Sequence, residues 1–106
     1  MVTIHVYGEV SAMDPGIVHT SSCEGSIDAA EVTPDMNLKD LLPAWWRSDV
    51  AGKIDPLYLA ELKEDGAVFR YAAREFFVPF GDGRRVDKVG LSYAYGELHV
   101  SIEKTE

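Results

Sequence analysis

Residues 33–46 read TPDMNLKDLLPAWW. Leu38, Leu41, Leu42 and Trp45 fall at i, i+3, i+4 and i+7, the spacing of one apolar stripe along an α-helix. Asn37 stands where a cap belongs, and Asp40 brings negative charge to the positive end of the helix dipole. Pro43 is the awkward residue, because inside a helix it removes a hydrogen bond and clashes with the preceding turn at a cost of about 3 kcal/mol. The expectation is a kink there, or a new turn starting at Pro43. With Trp45 on the core stripe, Trp46 lies about 100° further round and is expected at the edge of the core or outside it. Taken as one main helix, this stretch requires a sheet to pack on.

The flanking sequence supplies strands. Val2, Ile4 and Val6 alternate with Thr3, His5, Tyr7 and Glu9, the period of a half-buried strand running Val2 to Val10. Ser11 to Gly25 carries Asp14-Pro15-Gly16 and a Ser/Thr/Gly cluster, and reads as an unusually long connection in which Ile17-Val18-His19 can add a short strand. A second strand follows at about Ser26 to Val32, with a bulge at Ala29-Ala30. Downstream, Asp55 and Pro56 before LYLAELKED and Gly66 after it have the signature of a short second helix. AVFRYAAREFFVPF suits helix or strand; its end, Phe76 to Phe80, reads as a strand that turns at Gly81-Asp82-Gly83 into Arg84-Arg85-Val86. In the last strand Leu98, Val100 and Ile102 face inward, and Glu97, His99, Ser101 and Glu103 outward.

At 106 residues, 46% hydrophobic and 26% charged, the chain has the composition of a single globular domain spanning residues 1–106. No run approaches the roughly 18 apolar residues that span a bilayer, and MVTIHVYGEV lacks the basic and apolar regions of a signal peptide, so a cytoplasmic location and no membrane partner are expected. Cys23 is the one cysteine, which excludes an internal disulfide. The net charge of −8 disfavours direct nucleic-acid binding. It is unevenly spread: residues 1–65 hold twelve acids against Lys39, Arg47, Lys53 and Lys63, while residues 66–90 hold Arg70, Arg74, Arg84, Arg85 and Lys88.

Several stretches resemble the β-grasp, ubiquitin-like family. GSIDAAEVTPDMNLKDLLPAW is similar to the second strand and helix start of ubiquitin and the bacterial sulfur carriers. FFVPFGDGRRV is similar to their third strand, glycine turn and fourth strand, and YGELHVSIE to their last strand. VTIHVYGEV resembles the opening of ubiquitin-like domains in phage tail assembly proteins. The resemblance covers about three quarters of the chain and implies an α+β fold: a β-grasp-like mixed sheet with one main helix packed across it and a short second helix. Two departures stand out, the Ser11 to Gly25 insertion and a tail of Glu103, Lys104, Thr105 and Glu106 in place of the reactive diglycine. The tail speaks against sulfur transfer and conjugation. What the resemblance leaves is a β-grasp that serves as a recognition surface.

The residues offer little chemistry of their own. His5, His19, His99 and Cys23 show none of the close spacings of structural zinc sites, although His5 and His99 would approach each other if the first and last strands are neighbours. Gly81-Asp82-Gly83 lacks the lysine of a phosphate loop, and no G-x-S-x-G is present. The expectation is therefore a protein that is not an enzyme and uses no cofactor, metal or small-molecule ligand. Its partner is another protein, bound through Trp46, Arg47, Arg70, Arg74, Arg84 and Arg85, since tryptophan and arginine are the usual anchors of interfaces. The setting is bacterial or phage, the role an adaptor or assembly factor. The alternative is a small acidic inhibitor, an immunity or anti-defence protein that masks a basic nucleic-acid-binding site on its target. A carrier or a subunit of a metabolic complex is a third reading.

Overall fold

A computed structural model describes residues 1–14, 17–50, 53–91 and 94–105. The protein is nearly all antiparallel β. Strands β1 (Val2–Asp14), β2 (Ile17–Asp28), β3 (Leu57–Leu62), β4 (Gly66–Tyr71), β5 (Arg74–Pro79), β6 (Gly83–Gly90) and β7 (Ala94–Lys104) form two sheets, of order β2-β1-β7-β6 and β3-β4-β5. The α+β, β-grasp-like expectation is thus wrong, and the ubiquitin-like resemblance with it. The one α-helix among the described residues, α1 (Ala44–Val50), is seven residues long.

The quoted segment explains the error. Asn37 does cap a turn, its side chain accepting from the Lys39 N–H at 3.1 Å, but that turn is a 3-10 helix of four residues, Leu38–Leu41. Leu42 is extended (φ −87°, ψ 152°), and α1 begins after Pro43, whose carbonyl accepts from the Arg47 N–H at 3.2 Å. Proline therefore starts a second helical element, one of the two outcomes open to it. The extended residue also resets the helical phase: Trp46 is 0% exposed and Trp45 43%, the reverse of the expected assignment.

The expected second helix is also absent. Leu57–Leu62 is strand β3, paired with β4 through a turn closed by Lys63 N–H to the Gly66 carbonyl at 2.8 Å. A cap-like Asp-Pro is a local signal worth about 1 kcal/mol, and a hairpin that buries Leu57 and Phe69 in the shared core outweighs it. Tertiary context settled AVFRYAAREFFVPF in the same way, as hairpin β4–β5, with Ala72 at φ 55° in its turn. Ser11 to Gly25 is no loop. Twelve consecutive residue pairs from Thr3↔Asp28 to Asp14↔Ile17 make β1–β2 one long hairpin, with Pro15 and Gly16 outside the described residues. Thirteen residues at about 3.3 Å each, roughly 43 Å in all, are comparable in length to the molecule's 47 Å long axis. Ala29-Ala30 lies in a 3-10 turn capped by Asp28, rather than in a bulge.

The first and last strands, adjacent at the centre of the four-stranded sheet, behave as read. Ile4 and Val6 of β1 and Leu98, Val100 and Ile102 of β7 are buried on one face of the four-stranded sheet. They share a single cluster with Phe69, Tyr71, Phe76 and Val78 of the other sheet. Leu38, Leu42, Trp46 and Val50 belong to the same cluster, with Trp46 and Val50 packed on the four-stranded sheet. Close approach is possible because the sheet presents glycine there: a Cβ on Gly8 would stand 2.7 Å from the Trp46 ring, and one on Gly96 would stand 2.5 Å from Val50 Cγ1. No helix among the described residues is long and apolar enough to cross a membrane.

Candidate functional site

The second face of the four-stranded sheet looks away from the core, and its register stacks side chains into cross-strand rows. One row runs Gly83, Ser101, His5, Ser26 from β6 to β2. The next runs Arg85, His99, Tyr7, Glu24, and a third runs Lys88, Glu97, Glu9, Ser22. The glycine and serines of the first row leave a low floor beside the tall second row. The result is an open basin of about 370 Å³, with His5, Tyr7, Glu24, Gly83, His99 and Ser101 among its lining.

Its side chains hold one another. Tyr7, 36% exposed, meets His99 edge to face at 5.7 Å between centroids. His5 Nε2 lies 3.2 Å from a Glu103 carboxylate oxygen, and Glu97 lies 3.4 Å from Arg85 and 3.8 Å from His99. Glu9 accepts from the Tyr7 hydroxyl at 3.2 Å and from Ser11 Oγ at 3.3 Å. Glu9 and Glu97 stand directly opposite each other, a like-charged cross-strand pair that these donors offset. His5 and His99 are diagonal neighbours, as adjacency of the first and last strands requires. Among the described residues no three His, Cys, Asp or Glu side chains are grouped to hold a metal ion. Cys23 is half-buried on the opposite face, where desolvation pushes its thiol above the ordinary range.

The six residues expected to bind a partner do not converge. Trp46 is inside, its Nε1 donating to the Glu9 carbonyl at 3.3 Å, so the exposed tryptophan is Trp45. Arg47 donates to the Asp40 carbonyl at 2.8 Å. Arg74 and Arg84 join the two sheets: Arg74 donates to the Val86 carbonyl at 2.8 Å and lies over the Tyr71 ring, and Arg84 reaches the Phe77 carbonyl at 3.4 Å and lies over Phe76. Arg70 pairs with Glu75 across one hairpin. Arg85 belongs to the second cross-strand row of the outer face just described, and Arg84 also lines its basin. Sequence reasoning missed Tyr7, Glu9, Glu24 and Glu97 as a group, although the alternation in VTIHVYGEV and YGELHVSIE already pointed most of them outward. The missing information was that β7 lies beside β1.

No family model, curated protein or solved structure matches the chain.

Proposed function

We propose that this is a non-enzymatic protein-binding module, an adaptor or assembly factor, which uses the outer face of its four-stranded sheet. One observation carries the reading: Tyr7 and Arg85, residue types that anchor interfaces, share one cross-strand row, and Tyr7 and Arg84 line a basin beside it that is open rather than enclosed. An open floor of strand backbone suits a partner surface better than a small molecule, whose sites bury most of the ligand. The ion pairs around the basin would be rim contacts that orient the partner.

A photoreactive benzoyl-phenylalanine placed at position 7, with a control at position 77 on the outer face of the other sheet, tests this in cells that naturally produce the protein. Discrete protein adducts from position 7 and none from position 77 are expected. Equal labelling from both positions, or none from position 7, overturns the reading. The acidic-inhibitor alternative draws support from the −8 net charge and from exposed Glu31, Asp35, Asp40, Glu61, Glu64 and Asp65. It requires a basic partner captured at low salt and lost at high salt, because steering between exposed charges is screened.

A further inference from the structure

Two sheets have four edges, and three of them are guarded in the ways that stop strands from recruiting others. β6 carries Arg84, Arg85 and Lys88, has a register shift between Arg85 and Asp87, and has its Val86 carbonyl occupied by Arg74. β5 ends in Pro79, and its Phe77 carbonyl receives Arg84. β3 is bulged between Leu59 and Glu61, and its Leu57 N–H is taken by Asn37 Oδ1 at 3.1 Å.

β2 has none of these devices. Its pairing with β1 runs without a register shift, and no lysine, arginine or proline occurs between Ile17 and Asp28. Thr20, Ser21, Ser22 and Glu24 are exposed, and among the described residues no strand pairs with its other side. The chemistry behind this edge is one-sided. Ser22 is small, and the next residue in its row is Glu9, followed by Glu97, with Glu24 two residues along β2 on the same face. Strands lie about 4.8 Å apart, so a long side chain from a fifth strand, laid across Ser22, would bring a positive head group to Glu9 and Glu24.

We propose that the free edge of β2 accepts an extended segment of a partner protein as a fifth strand, with an arginine or lysine of that segment lying over Ser22 toward Glu9 and Glu24. Main-chain hydrogen bonds would supply the affinity, and the carboxylates the selection for a basic residue. This rests on the protein-binding reading and names the kind of partner. A second copy of the chain fits less well, because each copy brings a net charge of −8 and Ser22 offers its acidic surroundings nothing basic.

The test uses amide NMR on the intact protein with two nine-residue probe peptides of alternating threonine and valine, one with a central arginine and one with a central glutamate. The arginine peptide should shift the Thr20–Glu24 resonances and slow their hydrogen exchange at least tenfold, and the glutamate peptide should do neither. Ser22→Lys should weaken the arginine peptide at least tenfold, Ser22→Thr should retain it, and Glu24→Gln should weaken it several-fold. Shifts elsewhere, equal response to both peptides, or binding indifferent to Ser22→Lys overturns the proposal. So does a concentration-dependent dimer that Ser22→Lys dissolves, which would give the edge to a second copy. If adducts form at position 7 and survive Ser22→Lys undiminished, edge docking fails while the protein-binding reading stands.

Discussion

Replacing Gly8 with alanine tests the packing that distinguishes this fold from one with a single long helix. The added Cβ would lie 2.7 Å from Trp46 Cε2 and Nε1 and 2.9 Å from Leu42 Cδ1. The indole has no room to yield, since it is fully buried and tied to the Glu9 carbonyl. Overpacking of this kind costs about 1–3 kcal/mol. Against that, alanine in a strand interior recovers about 0.5–1 kcal/mol of glycine's backbone entropy. Taking the middle of each range, the net expectation is a loss of about 1 kcal/mol and at most about 2.5 kcal/mol, or roughly 4–8 °C in Tm for each kcal/mol lost. In a Trp46→Phe background, which withdraws the pyrrole edge, the ring clash is relieved, the Leu42 methyl gains room to shift away from the new Cβ, and the entropy gain remains. Gly8→Ala should then stabilise by about 0.5 kcal/mol, which makes the coupling between the two sites at least about 1 kcal/mol. Urea unfolding followed by far-ultraviolet circular dichroism reads all four proteins without relying on tryptophan emission. Equal cost of Gly8→Ala in both backgrounds, or none in the wild type, would refute the placement of Trp46 against β1.

Three further expectations bear on how the sheets are held together. The Tyr71 hydroxyl donates to Asp87 at 2.6 Å and accepts from the Asp55 N–H at 3.1 Å, so Tyr71→Phe should cost about 1–3 kcal/mol. Burial first, and the Asp87 carboxylate second, hold this phenol well above its ordinary pKa of 10. The unfolded chain therefore loses its proton first as pH rises through 10, and stability conferred below that pH declines above it, by up to about 1.4 kcal/mol per pH unit. The difference between wild type and Tyr71→Phe in chemical denaturation at pH 8 and pH 11 should shrink accordingly. Ala72→Gly should raise stability by about 1 kcal/mol, read as a higher urea midpoint, because alanine at φ 55° bears a strain that glycine does not. Arg74→Lys should lose most of what Arg74→Ala loses, about 1 kcal/mol, because stacking on Tyr71 and the bond to Val86 need the planar guanidinium, whereas Arg70→Ala should change the midpoint little.

What was legible in the sequence was whatever depended on a period of two. VTIHVYGEV and YGELHVSIE declared their inner and outer faces correctly, because a strand with one buried face must alternate. Helical signals failed for a common reason. Asn37, Asp55-Pro56 and the Leu38/Leu41/Leu42 spacing are local features, each worth a kilocalorie or so, and none records how far the helix continues. Leu42 being extended for one residue was enough to turn one helix into two short pieces and exchange the roles of Trp45 and Trp46. The structural contacts of the arginines were hidden for the opposite reason. Their chemistry was visible, but Arg74 and Arg84 spend it on backbone carbonyls of the neighbouring sheet, and only the pairing of distant strands reveals that seam.

The outer sheet face also contains a local conflict that the fold tolerates at some expense. Glu9 and Glu97 oppose each other at a directly paired position, where like charges destabilise by up to about 1 kcal/mol. Four neighbours, Tyr7, Ser11, Arg85 and His99, are arranged around the two carboxylates, and no buried side-chain polar atom among the described residues lacks a partner. A sequence under pressure for stability alone could remove the repulsion with one threonine at either position, a residue suited to strands. Keeping both acids, beside an exposed Tyr7 and behind the unguarded edge of β2, concentrates negative charge where a docking strand would arrive. Departures from local consistency tend to fall at functional sites, and on that ground this row is where binding should be sought first.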